Sequence, residues 1–188
     1  GTMNSRRLFG RKLSMTRSFA FQYGKAAFTL EDSITNHGTE PVPLMLLYHF
    51  NMGYPLLSED AKLYIPSKRI LPRDDDADAS VWDKMAAPAA GFKEMCYYHA
   101  LENGADGRAV FGVDNPACGI SLRIKYDAGV LDHFVQWRML GEGEYVTGLE
   151  PCNATIGGGD KARAAGTLKS IGPGQTVRCP FEVTLRSL

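Results

Sequence analysis

Apolar and polar positions alternate with a period near two along most of this chain, and turn residues interrupt the alternation roughly every ten positions. Phe19 to Tyr23 and Ala26 to Leu30 alternate on either side of Gly24-Lys25, which reads as a hairpin. Asp32 to Thr35 prolongs the second arm until Asn36-His37-Gly38, where Asn and Gly tolerate positive φ and mark a turn. Strands are expected again over Glu94 to Ala100, Ala109 to Asp114, Cys118 to Tyr126, Phe134 to Leu140 and Thr176 to Leu185. Asn103-Gly104, Asp106-Gly107, Asn115-Pro116, Asp127-Ala128-Gly129 and Gly172-Pro173-Gly174 separate them. Short strands punctuated this regularly indicate an all-β fold, an antiparallel β-sandwich or open barrel.

Three stretches depart from the alternation. Leu44 to Phe50 is a continuous apolar run, of the length expected for a strand buried on both faces, and Gly53-Tyr54-Pro55 then turns the chain. Residues 72–90 read as a loop with one helical turn, and the acidic triplet Asp74-Asp75-Asp76 within it reads as a solvated surface. A hard-cation loop would need a glycine and more regularly spaced oxygen ligands. Gly157-Gly158-Gly159 lacks the strand-to-helix setting and the lysine of a phosphate loop, so it reads as a plain loop ahead of a weak helical patch at Lys161 to Ala165.

Composition narrows the function classes. The 188 residues are 44% hydrophobic, enough for one sizeable core. Lys plus Arg and Asp plus Glu number 21 each, so net charge gives no argument for nucleic acid or an anionic membrane as partner. No apolar stretch approaches the roughly 20 residues that span a bilayer, and the basic start lacks the apolar centre of a signal peptide. A soluble, cytoplasmic protein is expected. Cys96, Cys118, Cys152 and Cys179 are too dispersed for a zinc site or a disulfide framework and read as free thiols. Asn153-Ala154-Thr155 matches a glycosylation sequon, which reads as incidental.

Of the four histidines, His37 and His133 fall at turns or strand approaches and read as surface residues. His99 follows Tyr97-Tyr98 on a strand, either as a satisfied half-buried residue or as part of a pocket. His49 stands out because its neighbours are strongly apolar; core imidazole and catalytic imidazole are both open readings. Glu150, between Leu149 and Pro151, occupies a place that would raise a carboxyl's pKa in a dry pocket, or else caps a turn or pairs with Arg138. A histidine and a glutamate on separate strand ends can form an acid–base pair. Gln136-Trp137-Arg138 offers an aromatic with polar neighbours, suited to the apolar face and hydroxyls of a sugar. No GxSxG elbow is present, and no cysteine has an evident histidine partner.

Two segments carry a family resemblance. Leu47-Tyr48-His49-Phe50-Asn51-Met52-Gly53-Tyr54-Pro55 resembles the NHxYFNL-like segment of the aldose 1-epimerase (galactose mutarotase-like) superfamily, closest to a bacterial branch, and Gly148-Leu149-Glu150-Pro151-Cys152-Asn153 resembles its glutamate segment. Val135-Gln136-Trp137 is similar to the strand leading into that glutamate, and Ile171-Gly172-Pro173-Gly174-Gln175 to the family's closing turn. The resemblance implies a galactose mutarotase-like supersandwich, of which this chain is the C-terminal portion. It implies an isomerase that interconverts sugar anomers, with His49 as general acid and Glu150 as general base, without cofactor or metal. Tyr48, Asn51, Tyr54, His99, Gln136, Trp137, Arg138 and Asn153 are the expected sugar contacts, and Glu94 stands where the family's substrate-binding aspartate is missing.

Residues 1–5 are expected to be a cloning remnant or a disordered N-terminus, and 6–188 the sandwich domain, without the family's N-terminal half. The expected partner is a monosaccharide or sugar derivative, together with self-association or docking to the missing half. The rival expectations are a carbohydrate-binding sandwich without catalysis and an inactive shortened homologue.

Overall fold

The computed structural model describes residues 1–188 and is almost entirely strand. In chain order the strands are β1 (Thr2–Arg6), β2 (Lys12–Phe21), β3 (Ala27–Asn36), β4 (Val42–Pro43), β5 (Phe50–Gly53), β6 (Lys62–Tyr64) and β7 (Ser67–Pro72). They continue as β8 (Met95–Leu101), β9 (Arg108–Asn115), β10 (Ile120–Asp127), β11 (His133–Gly141), β12 (Glu144–Cys152), β13 (Ser170–Ile171) and β14 (Thr176–Ser187). A single 3-10 turn (Ala79–Val81) lies in the 72–90 loop, as expected there, and helix α1 (Gly159–Ala164) matches the weak helical patch.

The strands make an antiparallel sandwich. Seven form one sheet in the order β1-β2-β3-β14-β10-β9-β6, and five form the other in the order β5-β12-β11-β8-β7. β4 and β13 pair separately. The expected hairpin is present, with Phe21 opposite Phe28. Aromatics from both sheets interlock in the core: Phe111 meets Phe50 and Phe134, and Phe181 meets Phe50 and Tyr126. Burying each such ring contributes about 1.5–3 kcal/mol.

Three expectations are corrected. Of residues 1–5, expected to be a remnant or disordered, Thr2 to Ser5 pair along β2 in an exposed edge strand that runs on to Arg6. Leu44–Phe50 is not buried on both faces: Leu44, Leu46, Tyr48 and Phe50 turn inward, while Met45, Leu47 and His49 face solvent. Ahead of Phe50, which opens β5 opposite Leu149, the run forms no continuous ladder, touching β12 by one bridge, Leu47 to Cys152, and by the Tyr48 N–H donating to the Pro151 carbonyl at 3.0 Å. Pro151 has no N–H to return that bond, so the ladder stops there. Third, Cys118 precedes β10, in a turn, rather than opening the strand.

The large sheet is wider than the small one. On β1 and the end of β2, the inward-pointing Met3, Phe19 and Phe21 are exposed. Phe19 and Phe21 cluster with Phe28, leaving an exposed apolar shelf.

Candidate functional site

Strand register decides which side chains meet. On the outward face of the five-stranded sheet, Glu150 of β12 lies opposite Val135 of β11, which lies opposite Tyr98 of β8, which lies opposite Leu71 of β7. The adjacent row runs Asn51, Gly148, Trp137 and Cys96. Because side chains alternate across a strand, these two rows share a face, and Leu149, Gln136, Arg138 and His99 share the opposite one.

His49 and Glu150 come together on the outward face. His49 Nε2 lies 2.9 Å from Glu150 Oε1, with the imidazole side chain 41% exposed and the carboxylate 4%. The approach is close but not aligned as a hydrogen bond, so Oε1 is buried without a donor. Burial alone pushes the Glu150 carboxyl up to about 7, because an ionised carboxylate loses hydration there. The edge of the Trp137 ring faces the His49 ring, with centroids 5.8 Å apart.

Gly148 makes the pair possible. A β-carbon at this position would lie 2.5 Å from Glu150 Oε1 and 2.5 Å from His49 Cε1. Only glycine leaves that space open. The motif resemblance contained this residue without singling it out; the register of β12 supplies the reason for it.

The Trp137 indole N–H donates to Glu94 Oε2 at 2.8 Å, and Arg73 donates to Glu94 Oε1 at 3.2 Å. Those two bonds, the indole's first, hold the Glu94 carboxyl below its ordinary range. Asn51 is exposed opposite Gly148, and Tyr54, just past the end of β5, is exposed. Tyr98, which the sequence reading did not single out, borders the same row from β8.

Five residues expected at the site lie elsewhere or do other work. Tyr48 points inward, its ring 4.6 Å from Phe181. Gln136 accepts at Oε1 in a 3.0 Å contact with His99 Nε2 and donates to the Trp82 carbonyl at 2.8 Å, all on the inward face. His99 also meets Ser67 Oγ at 2.8 Å, and burial pushes it down to about 4, which keeps the ring neutral near pH 7. Arg138 donates to the carbonyls of Val81 and Lys84, and so does not pair with Glu150. Asn153 is a clamp: its Oδ1 accepts the Leu46 N–H at 2.7 Å and its Nδ2 donates to the Leu44 carbonyl at 2.9 Å. It fastens the segment carrying His49 to the strand carrying Glu150.

Burial raises the thiols of Cys96, Cys152 and Cys179, to about 11, 12 and 11, which keeps them protonated near neutral pH. No group of three or more His, Cys, Asp or Glu side chains gathers as a metal site would require. No helix is long and apolar enough to cross a membrane.

Comparison with known proteins agrees with this architecture. Residues 1–185 match the family described as domain of unknown function DUF4432. A protein from Klebsiella pneumoniae, described as a candidate aldose 1-epimerase, superposes with a TM-score of 0.93 at 25% identity, covering 98% of this chain and 49% of that one. A candidate aldose 1-epimerase from Escherichia coli K12 superposes with a TM-score of 0.68 at 15% identity, covering 100% of this chain and 64% of that one. A galactose mutarotase-like protein from Clostridium acetobutylicum gives 0.70 at 11% identity, covering 100% of this chain and 62% of that one. This chain therefore spans between about half and two thirds of the length of these relatives. Among curated proteins none matches the sequence.

Proposed function

The chain belongs to the DUF4432 family and has a galactose mutarotase-like fold, and from that premise we propose that it interconverts the α and β anomers of a sugar by general acid–base catalysis. The observation that carries the proposal is the 2.9 Å approach of His49 Nε2 to a buried Glu150 oxygen that has no donor.

Each group has a step. Glu150 Oε1 takes the proton of the anomeric hydroxyl as the C1–O5 bond breaks, and His49 Nε2 delivers a proton to the ring oxygen. Rotation about C1–C2 presents the other face of the aldehyde, and the two proton transfers reverse. A base with its pKa near 7 serves this well, since it is ionised in part at working pH yet basic enough to take the proton. Trp137, held by Glu94, supplies an apolar wall, while Asn51 and Tyr54 offer polar contacts at the rim. In this reading Gln136, Arg138, His99, Tyr48 and Asn153 build the site without touching sugar.

Glu150→Gln keeps the shape and removes the base. Anomer exchange followed by NMR should fall by about 10²–10⁴-fold in this variant. An unchanged exchange rate would sink the assignment.

The 41% exposure of His49 favours a second reading, a sugar-binding face without turnover. Sugar binding by the unaltered chain without any rate enhancement, equal in Glu150→Gln, would select it.

A further inference from the structure

A cleft with a largely apolar floor lies on the outward face one row from His49 and Glu150. Arg69, Leu71, Tyr98, Asp132, His133 and Thr155 line it, and its volume is about 340 Å³. Register fixes its distance from the acid–base pair. Arg69 lies opposite Ala100, and His133 opposite Cys152, two residues along β12 from Glu150. At about 3.4 Å per residue and about 4.8 Å between strands, the backbones of His133 and Glu150 are roughly 8 Å apart, and those of Arg69 and Glu150, three strands apart, roughly 16 Å. A pyranose ring with one exocyclic substituent spans the first gap, and the long Arg69 side chain, which lines the cleft with Tyr98 and His133, covers much of the second.

The cleft's rim carries donors that the protein leaves unengaged. The Arg69 guanidinium is exposed and makes no ion pair or hydrogen bond within the protein. His133 Nδ1 is engaged by Asp132 at 2.9 Å, which leaves Nε2 free. The hydroxyls of Tyr98 and Thr155 make no hydrogen bond within the protein. The one acid facing the cleft, Asp132, is held by Lys169 at 2.5 Å as well as by His133. Two cations, Arg69 and Lys169, against that one carboxylate leave a net positive charge before His133 is counted. Guanidinium groups bind phosphate and carboxylate oxygens in pairs, with strong charge-assisted hydrogen bonds.

We propose that the Arg69–His133–Thr155 cleft is a subsite for an anionic substituent, phosphate or carboxylate, on the sugar whose anomeric carbon lies at His49 and Glu150. The proposal rests on the acid–base reading of that pair and adds the substrate class: charged rather than neutral sugars. Tyr98 borders both the cleft and the row that holds Glu150, and so lies between the two ends of the ligand.

The test compares glucose 6-phosphate, glucuronate and galactose as substrates for the full chain, by NMR exchange. At least one anionic sugar should have the higher kcat/KM, and the preferred one identifies the substituent. Arg69→Ala should lower that preference over galactose by about 10–100-fold, with Arg69→Lys restoring part of it. Equal kcat/KM for all three sugars, or an equal loss for all three in Arg69→Ala, overturns the subsite. Binding is read separately, so that loss of the acid–base reading leaves the subsite testable. Titration with glucose 6-phosphate or glucuronate should shift the amides of His133 and Thr155, with weaker affinity in Arg69→Ala. Silence at both amides with both sugars overturns the subsite whatever the rates.

Discussion

Replacing Gly148 with alanine separates the chemistry of the site from the stability of the fold. The backbone at Gly148 is not in the left-handed region, so alanine adopts it without strain. Loss of glycine's freedom in the unfolded chain should stabilise by about 0.4–1 kcal/mol. Against this, the new methyl lies 2.5 Å from both Glu150 Oε1 and His49 Cε1, where ordinary contact begins at 3.4 Å, so each must retreat by 3.4 − 2.5 = 0.9 Å. Both atoms are tips of side chains, which move by small rotations while the strands stay in place. The effects on stability nearly cancel, and the melting temperature should stay within about 4 °C of the unaltered chain. The reacting geometry has no such slack: a displacement of about 1 Å costs on the order of 10²-fold in rate. NMR exchange of sugar anomers gives the rate, and thermal unfolding gives the stability. Full activity in Gly148→Ala would refute the reasoning that this close approach is the working geometry. A fall of more than about 10 °C in melting temperature would refute the premise that only side-chain tips need move.

Further outcomes follow from the same geometry. The Glu150 carboxyl is at about 7 when folded, against an ordinary value of 4.5, so the folded chain holds the extra proton between those values. Stability is therefore greatest below pH 4.5 as far as this group is concerned and is lost as pH rises through 7. Glu150→Gln, which cannot ionise, should gain about 3 kcal/mol relative to the unaltered chain between pH 4.5 and pH 8, measured by urea unfolding at each pH; parallel pH profiles would contradict the buried carboxylate. The same ionisation predicts that kcat/KM falls below about pH 7, and a flat profile from pH 5 to 8 would exclude Glu150 as the base. Asn153→Ala removes two buried bonds to the Leu44–Leu46 segment and should cost about 2–4 kcal/mol, with faster hydrogen exchange at the Leu46 amide; unchanged exchange there would show that the clamp is dispensable. The apolar shelf at Phe19 and Phe21 predicts self-association, which sedimentation of a compact monomer at high concentration would contradict.

Much of the fold was legible because its main strands alternate and their turns are marked by glycine, asparagine and aspartate. The apolar run at Leu44 misled because it suggested burial on both sides. Its outward members face a shallow site instead of a second layer, and Pro151 withholds the bond that would have made it a regular strand. The edge strands β6 and β7 were not foreseen, since each is short and irregular in its alternation. At the site, His49 and Glu150 were legible as a candidate acid–base pair from their places on strand ends, and family resemblance singled that reading out from the alternatives. Arg69 and Tyr98 carry no motif, and only the register of four strands places them on the same face.

Gln136-Trp137-Arg138 shows how much a period of two could have decided beforehand. Consecutive residues of a strand cannot share a face, so a site containing Trp137 excludes its two neighbours. Those neighbours nonetheless help to build the site. The loop from Arg73 to Glu94 is grasped on the inward face of the small sheet, where Gln136 and Arg138 hold the carbonyls of Trp82, Val81 and Lys84, and Tyr145 holds that of Ala86. Its two ends emerge on the outward face, where Arg73 and Glu94 meet and Glu94 receives the Trp137 indole N–H. One loop thus clasps β11 from both sides. Trp137 keeps its place beside His49 through that clasp, so polar residues buried in the core govern an aromatic wall that they never touch.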